Sequence, residues 1–425
     1  MKKTIVILGA TGDLTRLKLL PAIQMMAKDD AKKENEISVI ACGRREMTSD
    51  DYIRYLAEVD PHPYKYREIS GTEETYSLEY LQISYGNDGS FEKLWERLEE
   101  IKSGQLLFFL ALGPDGVMAT LPMLETDKGR RILGSKNASV ILEKPYGEDL
   151  ENALEIVNRL NGVFGEKQVL LNDHYLHKKS VKSLLDLKLK DSDFSSAIDP
   201  SNLSDVRVVI SEQVDLGTRA GYFDCRGMVI DWVQSHMLQL LSTILVPEEI
   251  VAEGKIASWK TNFLENLNLQ PGSIIRGQYE EYKKTEGIDP ECETETFFAC
   301  RLESNQTLWK GASFSLIAGK AMAEKSVCFR LTFKTPHTVY GKTLELCLEP
   351  VSDNVELEEG DGKEYLIAMK RGLDGNSDNF LSDPEMKAQW RIAEEIRANM
   401  NESELQIYKK GISYMEFCND KWCSI

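Results

Sequence analysis

The chain has 425 residues, 42% hydrophobic and 28% charged, enough for two or three globular domains at about 150 residues each. With 69 acidic against 51 basic residues, its formal charge of −18 repels nucleic acid and anionic membranes, so neither is expected as a partner. No window approaches the ~20 consecutive apolar residues that cross a bilayer. From the N-terminus, short apolar runs alternate with amphipathic stretches. Strands are predicted at Thr4–Leu8, Glu36–Ala41, Tyr80–Ser84, Leu106–Leu110, Ser139–Leu142 and Val169–Asn172. Helical patterns lie between them, at Asp13–Lys28, Ser90–Ile101, Gly116–Thr126 and Leu150–Leu160. Such alternation calls for a parallel sheet covered on both faces. The polar insert Lys190–Ser204 reads as a surface loop. After it come strand-like segments with fewer helices between them: Val206–Gln213, Glu295–Leu302, Ser313–Ile317 and Val327–Phe333. Their clustering predicts a mainly antiparallel sheet.

The expected architecture is therefore an α/β, Rossmann-type doubly wound parallel sheet over residues 1–172. A larger α+β domain over 173–425 is expected to follow it, built on a mainly antiparallel sheet. The apolar run Thr4–Ala10 stops at Gly-Ala-Thr-Gly-Asp with no cleavage pattern behind it, so no export signal is expected. The eight cysteines are scattered, and the closest pair, Cys418 and Cys423, has no second pair at metal-ligand spacing. In a chain of this size they read as reduced thiols of a cytoplasmic protein, with neither a disulfide framework nor a metal site.

Directly after the first strand stands Gly9-Ala10-Thr11-Gly12-Asp13-Leu14. Glycine there permits a tight strand-to-helix turn, so that backbone amides at a helix N-terminus can approach a pyrophosphate. The second strand ends in Ala41-Cys42-Gly43-Arg44-Arg45. An acid near this strand end holds the ribose 2′-hydroxyl of NAD, whereas an arginine accommodates the 2′-phosphate of NADP. The paired arginines favour NADP, while Glu46 keeps NAD open.

Three further segments carry chemistry: Glu143-Lys144-Pro145-Tyr146-Gly147, Asn172-Asp173-His174-Tyr175-Leu176-His177-Lys178, and Tyr222-Phe223-Asp224 leading through Gly227 to Asp231 and His236. The first two follow apolar strands, at the carboxyl ends where open α/β sheets bind ligands. Taken together and in order, these motifs resemble the glucose-6-phosphate dehydrogenase family. Its D-H-Y-L-G-K matches Asp173 to Lys178 with His177 for glycine, and its E-K-P-F-G matches Glu143 to Gly147 with Tyr146 for phenylalanine. Its Y-[YF]-D-x-x-G-x-x-R-D-x-x-Q-N-H matches Tyr222 to His236, with Ile230 for arginine and Ser235 for asparagine. Its G-x-S-G-D-L turn corresponds to Gly9 to Leu14. Gly319-Lys320-Ala321 and the late segment Ser382-Asp383 to Trp390-Arg391-Ile392 extend the similarity over nearly the whole chain.

The resemblance implies oxidation of glucose 6-phosphate at carbon 1 with NADP, giving 6-phosphogluconolactone, the first step of the oxidative pentose phosphate pathway. By position, His236 would be the general base and Asp173 its carboxylate partner. His174, Tyr175 and Lys178 would hold the phosphate, with Lys325 near that end. Lys144, Glu212, Asp231 and Lys320 would hold sugar hydroxyls. Gly9, Thr11, Gly12, Asp13, Lys18, Arg44 and Lys144 would line the coenzyme, and Pro145 would follow a cis bond. A homodimer or homotetramer formed through the second sheet is also implied. His177 would crowd or supplement the phosphate lysine, and Met237, Leu238, Leu240 and Leu241 read as core. Two other readings stand beside this one: a related sugar-phosphate dehydrogenase with another hexose phosphate or an NAD preference, and a non-catalytic sugar-phosphate-binding paralogue.

The chemistry calls for these groups. Oxidising a hemiacetal carbon removes a hydride and a proton together, so a base must stand within hydrogen-bond reach of the hydroxyl. Histidine, with an unperturbed pKa of about 6.5, is available as neutral imidazole, and a carboxylate fixes its tautomer and favours the imidazolium that forms. A phosphate held by lysine contributes remote binding energy that positions the reacting carbon.

Overall fold

The computed structural model describes residues 2–31, 36–59, 76–86, 89–135, 137–217, 220–224, 226–349 and 363–418; the Tyr222 side chain and Cys423 lie outside what is described. The chain divides into two compact units, residues 1–177 with 362–383 and residues 178–361 with 384–425. The boundary expected between 172 and 173 thus falls after His177, and a later segment returns to the first unit.

Among the described residues the first unit holds six parallel strands: β1 (Lys2–Leu8), β2 (Glu36–Gly43), β3 (Ser77–Gln82), β4 (Gln105–Leu110), β5 (Ala138–Glu143) and β6 (Val169–Asn172). Their order is β3-β2-β1-β4-β5-β6. Strands so rich in Val, Ile and Leu are buried on both faces, and successive side chains go to opposite layers. Ile5, Ile7, Leu107 and Phe109 join one core with Ile23, Met26, Tyr52 and Leu56. On the other face Phe108 meets Trp95 and Phe164, with ring centroids 6.4 and 5.9 Å apart. β3 sits a few residues earlier than Tyr80–Ser84, because its pairing with β2 runs from Ser38 with Ser77 to Gly43 with Gln82. The first helical stretch also departs from expectation. Thr15–Leu19 is π-wound and only Leu20–Ala31 is α-helical; Pro21 has no N–H for an α-ladder, and the turn before it widens.

The returning segment supplies the helix Glu364–Leu373. Its Tyr365, Leu366, Met369 and Leu373 join the Ile5 core. Gly372 lets it lie directly on the sheet, since a Cβ there would stand 2.9 Å from Leu107 Cδ1 and 3.1 Å from Ile141 Cδ1.

Among the described residues the second unit has eight strands: β7 (Leu203–Ser211), β8 (Leu267–Leu269), β9 (Ile275–Tyr279), β10 (Phe297–Ser304), β11 (Ser313–Gly319), β12 (Ser326–His337), β13 (Gly341–Glu349) and β14 (Leu405–Tyr408). The order is β13-β12-β7-β11-β10-β9-β14, with β8 paired to β10. The sheet is mostly antiparallel, but β7 runs parallel to β11 and β9 to β14. Other strands as well as helices intervene in the chain between those partners, and such long connections permit the parallel pairs, which no hairpin can make. Inside the sheet Arg207 pairs with Asp205 at 2.7 Å, and both side chains are buried. Ser313 and Ser315 donate to the same carboxylate at 2.7 and 3.1 Å.

The insert Lys190–Ser204 is not a simple loop: Asp191 caps a helix Ser192–Ala197 by accepting from the Asp193 and Phe194 amides, and Phe194 and Ala197 are buried. The cysteines are not all free, because Cys328 and Cys347 form a disulfide. They face each other across the β12–β13 pair, a register that sequence spacing does not display. Among the described residues no helix is long and apolar enough to cross a membrane.

Candidate active site

In the first unit the turn after β1 is built on Gly9. It has φ +104°, and a Cβ there would come within 2.2 Å of the Ala111 carbonyl oxygen, so only glycine fits. The Gly9 and Ala10 amides donate to the Cys42 carbonyl at 3.1 and 2.9 Å, and Thr15 Oγ1 donates to the Gly9 carbonyl at 2.9 Å. Tyr52 and Tyr55 hold the outside of the turn through hydroxyls on the Ala10 and Thr11 carbonyls, at 2.7 and 3.1 Å. Gly12 and Asp13 are exposed at the opening of the helical stretch, and Asp13 accepts from Arg16 at 2.9 Å. Lys18 is half exposed, 3.8 Å from Glu364. At the end of β2, Arg44 and Arg45 are exposed, and Arg45 lies over the Tyr55 ring at 5.1 Å. An open glycine turn beside exposed arginines fits a dinucleotide.

The ends of β5 and β6 make a second cluster. The Lys144–Pro145 bond is cis. Glu143 is buried and accepts from Asn172 Nδ2 at 2.7 Å. Burial pushes its carboxyl up to about 8, against the opposing pull of the Asn172 hydrogen bond and Lys144. Asp173 is fully buried and accepts from the Tyr175 amide at 3.0 Å, which shapes the short 3₁₀ turn His174–His177. His174 stacks on Tyr365 at 5.8 Å. Tyr365 was not among the expected residues, since it comes from the returning helix and carries no local motif. His177 turns inward. Its ring is 4% exposed and packs edge-on to Phe380 at 4.9 Å.

The second unit carries its own constellation. Parallel pairing of β7 with β11 puts the residues that follow them side by side, and the Glu212 amide donates to the Gly319 carbonyl at 2.9 Å. Lys320 is thereby buried, 2.6 Å from Glu212 and 3.1 Å from Asp231. Burial alone would depress its pKa, but Asp231 and Glu212 outweigh that and raise it, so it remains an ammonium. The aromatic rings of Phe223 and Trp232 lie 5.3 and 5.6 Å from its Nζ. Asp231 and His236 belong to the π-wound segment Val229–Met237. Its i→i+5 hydrogen bonding brings residues five apart towards one side, as such windings at functional sites do. His236 is buried, edge-on to Trp232 at 5.4 Å. Met237, Leu238, Leu240 and Leu241 are core. Lys178 and Lys325 both pair with Glu349, the latter at 3.2 Å. Trp232 lies inside the Tyr222–His236 motif at a position the pattern leaves open, and Glu349 lies in no motif, so the sequence marks a role for neither.

A glycine turn at the end of the first strand of a doubly wound sheet, followed by a unit with buried lysine, carboxylates and histidine, defines a nicotinamide-dinucleotide oxidoreductase. Two family models match in tandem: "Glucose-6-phosphate dehydrogenase, NAD binding domain" over residues 6–183 and "Glucose-6-phosphate dehydrogenase, C-terminal domain" over residues 185–355. Glucose-6-phosphate 1-dehydrogenase of Rhizobium meliloti is 30% identical over 358 residues, covering 80% of this chain and 72% of that protein. The Helicobacter pylori enzyme of the same name is 28% identical over 403 residues, covering 91% and 90%. The solved structure of Mycobacterium avium glucose-6-phosphate 1-dehydrogenase shares the fold, with TM-score 0.79 at 23% identity over 96% of this chain and 95% of that one. The chain belongs to the glucose-6-phosphate dehydrogenase family.

His177 provides a test within the first unit. Burial, then Arg371, lowers its pKa from 6.5 to about 4. Between those values the unfolded chain takes up a proton that the folded ring refuses, so stability falls as pH drops through the interval. The full loss is roughly 3 kcal/mol. Urea denaturation of the parent and of His177→Leu should therefore show the variant gaining on the parent between pH 7 and pH 4.5. A constant gap would contradict a neutral, buried ring.

Proposed function

We propose that this protein is a glucose-6-phosphate 1-dehydrogenase that uses NADP. The observation that carries the reading is the second unit's buried Lys320, held by Glu212 and Asp231 and sharing Trp232 with His236. Two carboxylates and an ammonium in one place offer both acceptors and donors to a polyol, with an imidazole beside them. His236 accepts the proton of the anomeric hydroxyl as carbon 1 gives up its hydride. The nicotinamide ring, when bound, is the hydride acceptor. Asp173 is the carboxylate assigned to hold His236 in its tautomer, by the motif it shares with the family. Glu212, Asp231, Lys320 and Lys144 orient the hydroxyls, and His174, Tyr175, Lys178 and Lys325 take the phosphate.

On the coenzyme side Gly9, Thr11, Gly12, Asp13, Lys18 and Lys144 line the dinucleotide, and Arg44 takes the 2′-phosphate. Exposure of Arg44 at the end of β2 supports NADP, because a planar guanidinium binds a phosphate through two parallel hydrogen bonds. We further propose a cytoplasmic homodimer or homotetramer.

Initial rates over a panel of hexose and hexosamine phosphates with both coenzymes test the activity. Glucose 6-phosphate with NADP should give the highest kcat/KM, and Arg44→Ala should lower the NADP-to-NAD preference by about tenfold or more. A higher rate with another sugar phosphate would move the enzyme to a related activity. Tight sugar-phosphate binding without turnover would make the protein a binding paralogue. His236→Asn should reduce kcat by roughly 10²–10⁴-fold with little change in KM, as loss of a general base does. Near-normal turnover would remove His236 from the role.

A further inference from the structure

The two lysines assigned to the phosphate are already bridged by a carboxylate of the chain itself. Glu349, the last residue of β13, accepts a hydrogen bond from Lys178 Nζ through one oxygen. Its other oxygen lies 3.2 Å from Lys325 Nζ. Lys178 keeps 14% of its side chain exposed and Glu349 29%, so this is a half-sheltered pair and not a loose surface contact. The placement is enforced by the sheet. Lys325 immediately precedes β12, Val327 pairs with Glu349, and the Cys328–Cys347 disulfide ties the same end of the two strands. Burial by itself would raise the Glu349 carboxyl, yet Lys178 and Lys325 outweigh it and hold it below the usual carboxylate range. It is therefore an anion at neutral pH.

A carboxylate between two ammoniums takes up the charge-assisted hydrogen bonds that a phosphoryl group would form. We propose that Glu349 is an internal competing anion: it occupies Lys178 and Lys325 until a sugar phosphate displaces it, and so sets how tightly and how selectively the phosphate is bound. The inference deepens the proposed function and depends on its assignment of those lysines. A phosphate ester brings a charge of about −1.5 to −2 at neutral pH. It gains by replacing a single carboxylate charge, whereas a monoanion gains little. The chain thus has selectivity for a dianion built in, at the expense of affinity. It also keeps the sheltered Lys178 and the exposed Lys325 compensated in a molecule whose net charge of −18 disfavours anionic ligands generally.

The test compares the full-length parent with Glu349→Gln, Glu349→Ala and Lys178→Ala, each checked for an intact melting transition. Both Glu349 variants should lower the KM for glucose 6-phosphate by about tenfold and strengthen competitive inhibition by inorganic phosphate in parallel. Unchanged or raised KM in both variants would overturn the proposal. So would a fall with glutamine alone, since that would come from a new amide donor and not from the lost charge. Lys178→Ala separates the two layers of the argument. If it raises the KM while the Glu349 variants leave it flat, only the competing-anion role fails. If Lys178→Ala also leaves the KM unchanged, the phosphate assignment itself fails.

Discussion

A lysine ammonium removed from water persists only where carboxylates replace its hydration, and the second unit is arranged around one such case. Lys320 stands between Glu212 and Asp231, and each of the three comes from a different element: the ends of β11 and β7, and the π-wound segment before the helix Leu238–Leu245. Removing a carboxylate from a buried ammonium is costly, because the charge left behind is then less fully compensated. The contact therefore locks the π-wound segment against the sheet, and that segment carries Trp232 and His236. Parallel pairing of β7 with β11 makes it possible. Two strands that run the same way finish side by side, whereas an antiparallel pair would have sent Glu212 and Lys320 to opposite edges.

The first unit depends on a different constraint, the close approach of backbone to backbone at Gly9. Its carbonyl-facing geometry excludes any side chain, and Tyr52 and Tyr55 fasten the turn from the helix Ser49–Val59. The core beneath is completed by the helix Glu364–Leu373, which also brings Tyr365 against His174. A segment near the end of the chain thus finishes a layer begun at residue 2, so the unit cannot be cut out at its apparent boundary.

The departures from the family pattern acquire a physical sense in this setting. Ile230 and Ser235 are buried, so an apolar and a small polar side chain have replaced a charge and an amide without leaving a cation unpaired. His177 replaces a glycine and fills space beside Phe380 as a neutral ring. None of the three removes a group that the proposed chemistry employs. The carboxylate at Glu349 does bear on that chemistry, since it faces the two lysines directly.

Much of this was written in local pattern. The alternation of Val/Ile/Leu runs with amphipathic stretches determined the parallel sheet, because period and length are properties of neighbouring residues. The glycine turn, the arginines after β2, and the ordered motifs around Asp173, Lys178, Asp231 and His236 marked the side chains of both candidate clusters. What the tertiary structure decided is every relation between distant segments. These are the return of residues 362–383, the parallel partners inside the second sheet, the Cys328–Cys347 bond, the inward turn of His177 and the bridge from Glu349 to two lysines. Such relations depend on strand register and on which face of a helix meets the core, and residues far apart in the chain carry no local mark of either.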